Sequence, residues 1–355
     1  MKISFLLISI ERRGGVRIAI EIANQLAKFK HQCRLIVIGD TDIPFPVHRD
    51  VKILRAHSAN CAGVFGVASK VIALAKAVPT DSDVVVATYY LTAYSAFLAK
   101  LRISRAKTFY LVQGYEPNFF RQKNMRTQWI PFFSAHFSYY LPLYKVTISR
   151  WLSDILAASG HHDVPVISNG IDTEVFTHEV VAASSGETMI MTVAHQPIRG
   201  FHDFCAAMDI IRESRTNFRA LVIGANPLLA STLSVPYDFV TPRNDHELVA
   251  AYKKSTIFVS CAYEEGFGLM PLEAMSCGVP VVCTDSGGLR DYASDNENCL
   301  MVPVGNVNRV ASAIMQLLDD AELRAKFVAA GQKTARQFNW SDIGRQYEEL
   351  FSELR

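Results

Sequence analysis

The stretch Tyr263-Glu264-Glu265-Gly266-Phe267-Gly268-Leu269-Met270-Pro271-Leu272-Glu273-Ala274-Met275 decides the reading of this 355-residue chain. Just before it, the apolar run Ile257-Phe258-Val259-Ser260 reads as a short buried strand. Pro271 is placed to open a helix, where its missing N–H costs nothing. A strand, a glycine loop and a helix N-terminus in succession make an anion site, because free backbone N–H groups and the helix dipole both favour negative charge. Two carboxylates, Glu265 and Glu273, stand eight residues apart within it. They would repel a bare phosphate. They suit a ligand that also carries hydroxyls, because carboxylates accept strong charge-assisted hydrogen bonds. A nucleotide sugar offers a diphosphate for the amides and ribose and hexose hydroxyls for the glutamates.

Outward from this stretch the chain alternates strand and helix, which argues for parallel sheets covered by helices. Strands are expected near residues 3–9, 33–38, 51–54, 84–87, 108–112, 146–148 and 164–167 in the first half. In the second half they are expected near 189–193, 220–223, 257–260 and 279–283. Helices are expected over 16–29, where Ile18, Ile22, Leu26 and Phe29 recur at helical spacing, and over 201–213, 246–253, 271–277, 307–318 and 343–354. Ser168-Asn169-Gly170 after a strand, followed by polar residues and Ser184-Ser185-Gly186, signals a linker. A chain of this length is comfortable as two domains.

Glu265-x7-Glu273, then Ser276-Cys277-Gly278-Val279-Pro280-Val281-Val282 and Gly287-Gly288-Leu289-Arg290-Asp291, resembles the donor site of retaining glycosyltransferases of family 4. The likeness runs from Gly14 to the C-terminus and is weakest between residues 40 and 140. It implies an α/β fold of the GT-B type, with two Rossmann-like, doubly wound parallel-sheet domains facing a cleft. The acceptor-side domain would span 1–170 and the nucleotide-sugar domain 171–338, with a helix at 339–355 crossing back to the first. The resemblance also implies roles. Glu265 would meet the donor sugar and act in catalysis, and Glu273 would hold the ribose diol. The diphosphate would lie between Gly15, Arg199 and the amides of Gly266, Phe267, Gly268 and Leu269. The nucleobase would pack beside Phe239-Val240-Thr241-Pro242-Arg243, with Arg243 at its edge. The reaction implied is transfer of a sugar, with retention, from a UDP-, dTDP- or GDP-linked donor to a glycan or lipid-linked glycan in surface polysaccharide synthesis.

Several positions depart from the family pattern. In the loop His195-Gln196-Pro197-Ile198-Arg199-Gly200 the family usually has Arg and then Lys-Gly; here His195 takes the first place and Arg199 the second. Arg199 can neutralise a leaving diphosphate through bidentate contacts, whereas a neutral His195 donates one hydrogen bond at best. In Gln113-Gly114-Tyr115-Glu116-Pro117, Gln113 replaces the usual His, as in rhamnosyltransferase-type members, and cannot be a general base. Glu116 is then the candidate for binding or activating an acceptor hydroxyl, with a turn role before Pro117 as the alternative. Asp81-Ser82-Asp83 matches the metal-binding DxD of the other large glycosyltransferase fold. It precedes a strand and reads as a solvated turn; no metal and no cofactor are expected.

Formal charge is unevenly placed. Residues 1–170 hold 21 Lys/Arg against 10 Asp/Glu, and the remainder 15 against 24, which gives +11, −9 and a sum of +2. Lys100, Arg102, Arg105, Lys107, Arg121, Lys123 and Arg126 bracket only Glu116, and Trp129, Phe132, Phe133, Phe137, Tyr139 and Tyr140 follow. Basic residues beside aromatics suit an anionic membrane surface or a lipid-linked acceptor. A basic helix face over buried aromatics accounts for them equally well. No nucleic-acid motif is present. The run Ile3–Ile10 reads as a first strand, not a secretion signal, and no stretch is long enough to span a bilayer, so a cytoplasmic protein, peripheral at most, is expected. The seven cysteines show neither metal-ligand spacing nor a disulfide pattern and read as buried thiols. Two further readings stay open. One is a non-catalytic nucleotide-sugar-binding subunit, suggested by Gln113 and His195. The other is a nucleotide-dependent oxidoreductase, suggested by Gly14-Gly15 after the first strand and Asp40 after the second, although GxGxxG is absent.

Overall fold

The computed structural model describes residues 1–10, 14–40, 42–59, 61–121, 125–177, 188–194 and 200–353, with backbone alone for 121 and 125–128. The chain divides into two compact units, Met1–Asn169 with Trp340–Arg355, and Gly170–Asn339. Among the described residues each unit holds a six-stranded sheet.

In the first unit the strands are β1 (Lys2–Leu7), β2 (Gln32–Ile38), β3 (Lys52–Ala56), β4 (Val84–Ala87), β5 (Lys107–Val112) and β6 (Tyr144–Thr147). They lie in the order β3-β2-β1-β4-β5-β6, and every pairing is parallel. The second unit repeats the scheme. Its strands are β7 (Thr188–Ala194), β8 (Phe218–Gly224), β9 (Tyr237–Val240), β10 (Ile257–Ser260), β11 (Val281–Thr284) and β12 (Leu300–Val302), ordered β12-β11-β10-β7-β8-β9 and again all parallel. Parallel strands need helical crossovers on both faces, so their residues are buried on both sides and read as continuous apolar runs. All four residues of β4 are buried, as are five of the six in β1.

The order reverses beside β1 in the first unit and beside β7 in the second. At such a switch point the loops leaving the two flanking strands diverge to opposite faces, and a crevice opens at the strands' C-terminal ends. The loops concerned follow β1 and β4 in one unit, and β7 and β10 in the other. Glycines found in the sequence stand at two of them: Gly14-Gly15 open the helix that follows β1, and Gly266 and Gly268 lie in the 261–268 loop after β10.

Some boundaries differ from the sequence reading. Residues 164–167 form a single bridge, Thr147 to Val166, in place of a strand. Pro165 is the reason: it accepts from the Thr147 N–H through its carbonyl but has no N–H to return. Two short edge strands, β9 and β12, and the helix Ala321–Ala335 carry too little apolar periodicity to be read. In that helix only Phe327, Gly331 and Ala335 are buried. The helix after β10 begins at Leu269, two residues before Pro271. Pro271 is tolerated there because the first four N–H groups of a helix have no partner within it. Five of the seven free cysteines are buried, and burial pushes the Cys33 and Cys277 thiols up to about 12. Among the described residues no helix is long and apolar enough to cross a membrane.

The helix Trp340–Glu353 belongs to the first unit and packs on the helix Gly14–Lys28. Gly344 allows the approach, since a Cβ there would come within 2.7 Å of Gln25 Cβ. Tyr347 and Phe351 are buried, and the Phe351 ring lies 4.7 Å from Phe109 of β5. His31 Nε2 meets Glu348 Oε1 at 2.7 Å, and Lys107 donates to the Phe351 carbonyl at 3.2 Å. Phe351→Ala should therefore destabilise the first unit by about 3–5 kcal/mol, the usual cost of deleting a buried aromatic ring. Urea unfolding followed by tryptophan fluorescence and circular dichroism measures it.

Candidate donor site

In the second unit, β10 runs into the loop 261–268 and then the helix Leu269–Ser276. Gly268 caps that helix with φ +83°, a left-handed conformation, and no side chain caps the end. The first-turn N–H groups therefore have no intrahelical partner, which is the geometry of an anion-binding terminus. A side chain at 268 would be strained by that φ, and its Cβ would come within 2.6 Å of Leu289 Cδ1.

The loop is held by its neighbour. Glu265 N–H donates to the Ser286 carbonyl at 2.8 Å, and Gly288 N–H donates to the Glu265 carbonyl at 2.9 Å. These bonds pair Glu265 with Gly287 as a one-residue parallel bridge. Tyr292 hydroxyl donates to the Gly268 carbonyl. Phe267 turns inward, its ring 5.3 Å from Tyr292 and 5.7 Å from Phe338, so it anchors the loop through its side chain. The segment Gly287–Asp291, found in the sequence only as part of a family pattern, thus braces the loop that carries Glu265. Gly266 lies within that braced turn.

Both glutamates are nearly enclosed, Glu265 at 9% exposure and Glu273 at 2%. Glu273 leaves the second turn of the helix and accepts a hydrogen bond from Tyr252 at 3.2 Å. Tyr252, on the helix Asp245–Lys254, also lies 3.0 Å from the Met270 carbonyl. Tyr252 has no mark in the motif itself, because it stands 21 residues from Glu273 on another helix. Tyr263 stands in the motif, but its partner Asp203 does not. Its hydroxyl sits 2.9 and 2.8 Å from the two carboxylate oxygens of Asp203, tying the loop after β10 to the first turn of the helix Phe201–Arg212. That carboxylate pushes the Tyr263 phenol upward.

His195 and Arg199, expected at the diphosphate, lie outside the described residues. Arg243, expected at the nucleobase, follows β9 with its side chain 85% exposed, and its guanidinium is engaged by Glu247 at 2.7 and 2.9 Å. An exposed pair of this kind is screened by solvent and weak.

In the first unit, Gly15 stands in the opening turn of the helix Gly14–Lys28. Gln113, at the end of β5, donates through Nε2 to the carbonyls of Gly15 and Thr88, both at 3.2 Å. Its amide therefore fastens the first turn of the helix Gly14–Lys28 to the residue after β4, and its Oε1 is buried without a partner among the described residues. Glu116, expected either at an acceptor hydroxyl or in a turn before Pro117, is 2% exposed and surrounded by tyrosines. It accepts from the Tyr90 N–H at 3.2 Å and bonds the Tyr110 hydroxyl. Burial pushes it up to about 8.

Asp81-Ser82-Asp83 is more than a solvated turn. Asp81 takes a bidentate contact from Arg34 at 2.6 and 2.9 Å and a second cation, Lys2, at 2.9 Å. Asp83 accepts from the Lys2 N–H at 2.7 Å, and the hydroxyls of Ser82 and Ser4 are 3.0 Å apart. Arg34 and Lys2 hold the Asp81 carboxyl well below the usual range. The turn is a clamp at the N-terminal end of β1, opposite the switch point. Among the described residues no three His, Cys, Asp or Glu side chains converge as metal ligands do.

The basic and aromatic stretch splits. Lys100, Arg102, Arg105 and Lys107 bond backbone carbonyls. Trp129, Ile130, Phe133, Phe137 and Tyr140 are exposed, while Tyr139 is buried.

The loop geometry gives a stability test. Gly268→Ala should cost about 1–3 kcal/mol through its left-handed φ and its collision with Leu289. Gly14→Ala, with open space around it, should cost far less. Paired chemical denaturation curves check both.

Two family models match in succession, "Glycosyltransferase Family 4" over residues 12–175 and "Glycosyl transferases group 1" over residues 176–334. A D-inositol 3-phosphate glycosyltransferase of Corynebacterium aurimucosum is 36% identical over 115 residues, covering 32% of this chain and 27% of that protein. The same enzyme of Corynebacterium efficiens is 32% identical over 154 residues, covering 40% and 36%. The chain thus spans about a third of the length of these relatives. Sucrose-phosphate synthase from Thermosynechococcus elongatus superposes with a TM-score of 0.84 at 17% identity, covering 99% of this chain and 98% of that one. HepE of Anabaena, solved with UDP and glucose, superposes at 0.81 with 18% identity, covering 99% and 100%. These likenesses establish the two-sheet GT-B fold, and with both models matched end to end the chain belongs to the family 4, group 1 glycosyl transferases.

Proposed function

We propose that the chain is a glycosyltransferase that moves a sugar from a nucleoside diphosphate to a hydroxyl of a glycan or lipid-linked glycan, with retained anomeric configuration. A role in the assembly of surface polysaccharide suits that acceptor class. The observation that carries this reading is the pair of enclosed carboxylates, Glu265 and Glu273, beside an uncapped helix N-terminus at a switch point. The diphosphate would lie against the first-turn amides of the helix Leu269–Ser276. Glu273, oriented by Tyr252, would accept the ribose hydroxyls, and Glu265 the hydroxyls of the sugar. The bond between the anomeric carbon and the diphosphate oxygen breaks, and a bond from that carbon to the acceptor oxygen forms. The departing diphosphate takes the acceptor's proton. Arg199 would offset the charge that gathers on the leaving group. UDP is the first nucleotide to try, because HepE is solved with it.

Thermal shift with UDP, GDP, dTDP, ADP and CMP tests the donor. A ligand that binds only the folded state adds about 2.7 kcal/mol at a hundredfold excess over its dissociation constant. One diphosphate should stabilise the parent, and Glu273→Gln should weaken it by roughly tenfold or more, the value of one or two hydrogen bonds to a charged group. Glu265→Gln should leave nucleotide binding in place and abolish sugar transfer. If no diphosphate binds while NAD(P)H does, the oxidoreductase reading takes over. If a diphosphate sugar binds without turnover, the binding-subunit reading does.

We further propose that the first unit meets an anionic membrane surface through the exposed Trp129, Phe133 and Phe137, with its basic excess drawing it there. The parent should sediment with phosphatidylglycerol vesicles at low salt. Trp129→Ser with Phe133→Ser should release it, and vesicles of phosphatidylcholine alone should not bind.

A further inference from the structure

Glu116 is a buried acid that the proposed reaction does not use, and its surroundings are unusual. It stands in the turn between β5 and the helix Asn118–Arg121, three residues after Gln113. From β5 comes Tyr110, from the helix Tyr90–Arg102 comes the Tyr90 N–H and ring, and from the end of the helix Met125–Ser138 come Ser138 and Tyr139. Its partners are hydroxyls and one amide; among the described residues no cation bonds it.

A carboxylate without a cation in such a place loses several kcal/mol of hydration, more than a few neutral donors return. The hydrogen bonds suit the uncharged acid instead. Ser138 donates to the Ala135 carbonyl at 2.7 Å, which leaves its oxygen free to accept from Tyr110 at 3.3 Å. With its own proton committed to Ser138, the Tyr110 oxygen can accept the proton of Glu116. The remaining carboxyl oxygen accepts from the Tyr90 N–H at 3.2 Å. Acid, phenol, hydroxyl and carbonyl form one directed chain in which every donor is satisfied. Around the same turn, Tyr139 accepts from the Glu116 N–H at 3.2 Å and donates to the Gly114 carbonyl at 3.3 Å. The turn that follows Gln113 is therefore gripped from both the side chain and the backbone of Glu116.

We propose that Glu116 is a positioning residue, held as the neutral acid among Tyr90, Tyr110 and Tyr139, that fixes the turn after Gln113 and does not take the acceptor's proton. Its link to sugar transfer rests on the glycosyltransferase reading; its protonation state does not. A native acid that keeps its proton up to about pH 8, against an unfolded value near 4.5, binds more protons folded than unfolded across that window. Stability is then fully present below pH 4.5 and falls as pH rises through about 8.

The test compares the parent, Glu116→Gln and Tyr110→Phe from pH 5.5 to 9.5, by melting temperature and by UDP release from UDP-glucose with water as acceptor. Glu116→Gln keeps the shape and cannot ionise. The parent should lose roughly 4–8 °C relative to Glu116→Gln between pH 6.5 and 9.5, given about 2–4 °C per kcal/mol for a unit of this size. Tyr110→Phe, which removes the acceptor of the acid's proton, should move the parent's fall to lower pH and serves as the second probe if the glutamine variant does not fold. UDP release by Glu116→Gln should stay within about threefold of the parent, a change of under 1 kcal/mol in the barrier. Melting curves of parent and Glu116→Gln that run parallel at every pH would overturn the neutral acid. A hundredfold loss of UDP release at unchanged melting temperature would make Glu116 a base. A parent that releases no UDP counts against the donor reading, while the melting curves still decide the state of Glu116.

Discussion

Everything at the candidate site depends on one constraint, the parallel pairing of strands whose order reverses next to the first strand of each sheet. Parallel pairing sends every crossover helix from one edge of the sheet back to the other, so all the loops that follow strands gather at the C-terminal edge. The reversal then parts two of them to opposite faces. In the second unit one of those is the loop after β10, which brings Glu265 and the uncapped end of the helix Leu269–Ser276 to that opening. Were β10 antiparallel, the same residues would face the opposite edge.

Within that frame, position is set less by the functional side chains than by what braces them. Glu265 is fixed through its backbone, by the bridge to Gly287. Glu273 is fixed through its side chain, by Tyr252. The difference matters chemically. Pinning the main chain sets where the side chain starts, whereas a carboxylate that accepts from a phenol has its orientation chosen before any ligand arrives. Preorganisation of this kind lowers the ordering cost of binding. Tyr263 and Asp203 extend it, because they join the loop after β10 to the helix that follows the loop after β7.

The sequence made the fold legible wherever burial on two faces produced continuous apolar runs, as in β1, β4, β7 and β10, and wherever a helix had one strongly apolar stripe, as in Val307–Asp319. It failed where those signals are physically weak. The edge strands β9 and β12 are four and three residues long, and residues 164–167 are interrupted by Pro165. The site was legible as a linear motif because a strand, a loop and a helix follow one another there. Tyr252, Ser286 and the Asp203 partner of Tyr263 were not, since each meets the motif only through tertiary contact. The ion pairs of Asp81, in its half-exposed turn, were hidden for the same reason: its partners Lys2 and Arg34 lie on two strands and have no mark in the sequence nearby.

Glu116 shows why residue type and position in a loop are insufficient evidence of chemistry. Glu116, Glu265 and Glu273 all follow a central parallel strand towards the C-terminal edge, and all three are nearly enclosed. What separates them is the company each keeps. Glu265 and Glu273 stand beside an uncapped helix N-terminus, whose partial positive charge favours an anion. Glu116 has phenols and a serine around it, groups that can pass a hydrogen bond along but supply no positive charge. The first environment suits a carboxylate that receives hydroxyls; the second suits an acid that keeps its proton and holds a turn in place. A glutamate can be read as a ligand-binding group only after its electrostatic neighbours are known, and those come from strands and helices far away in the chain.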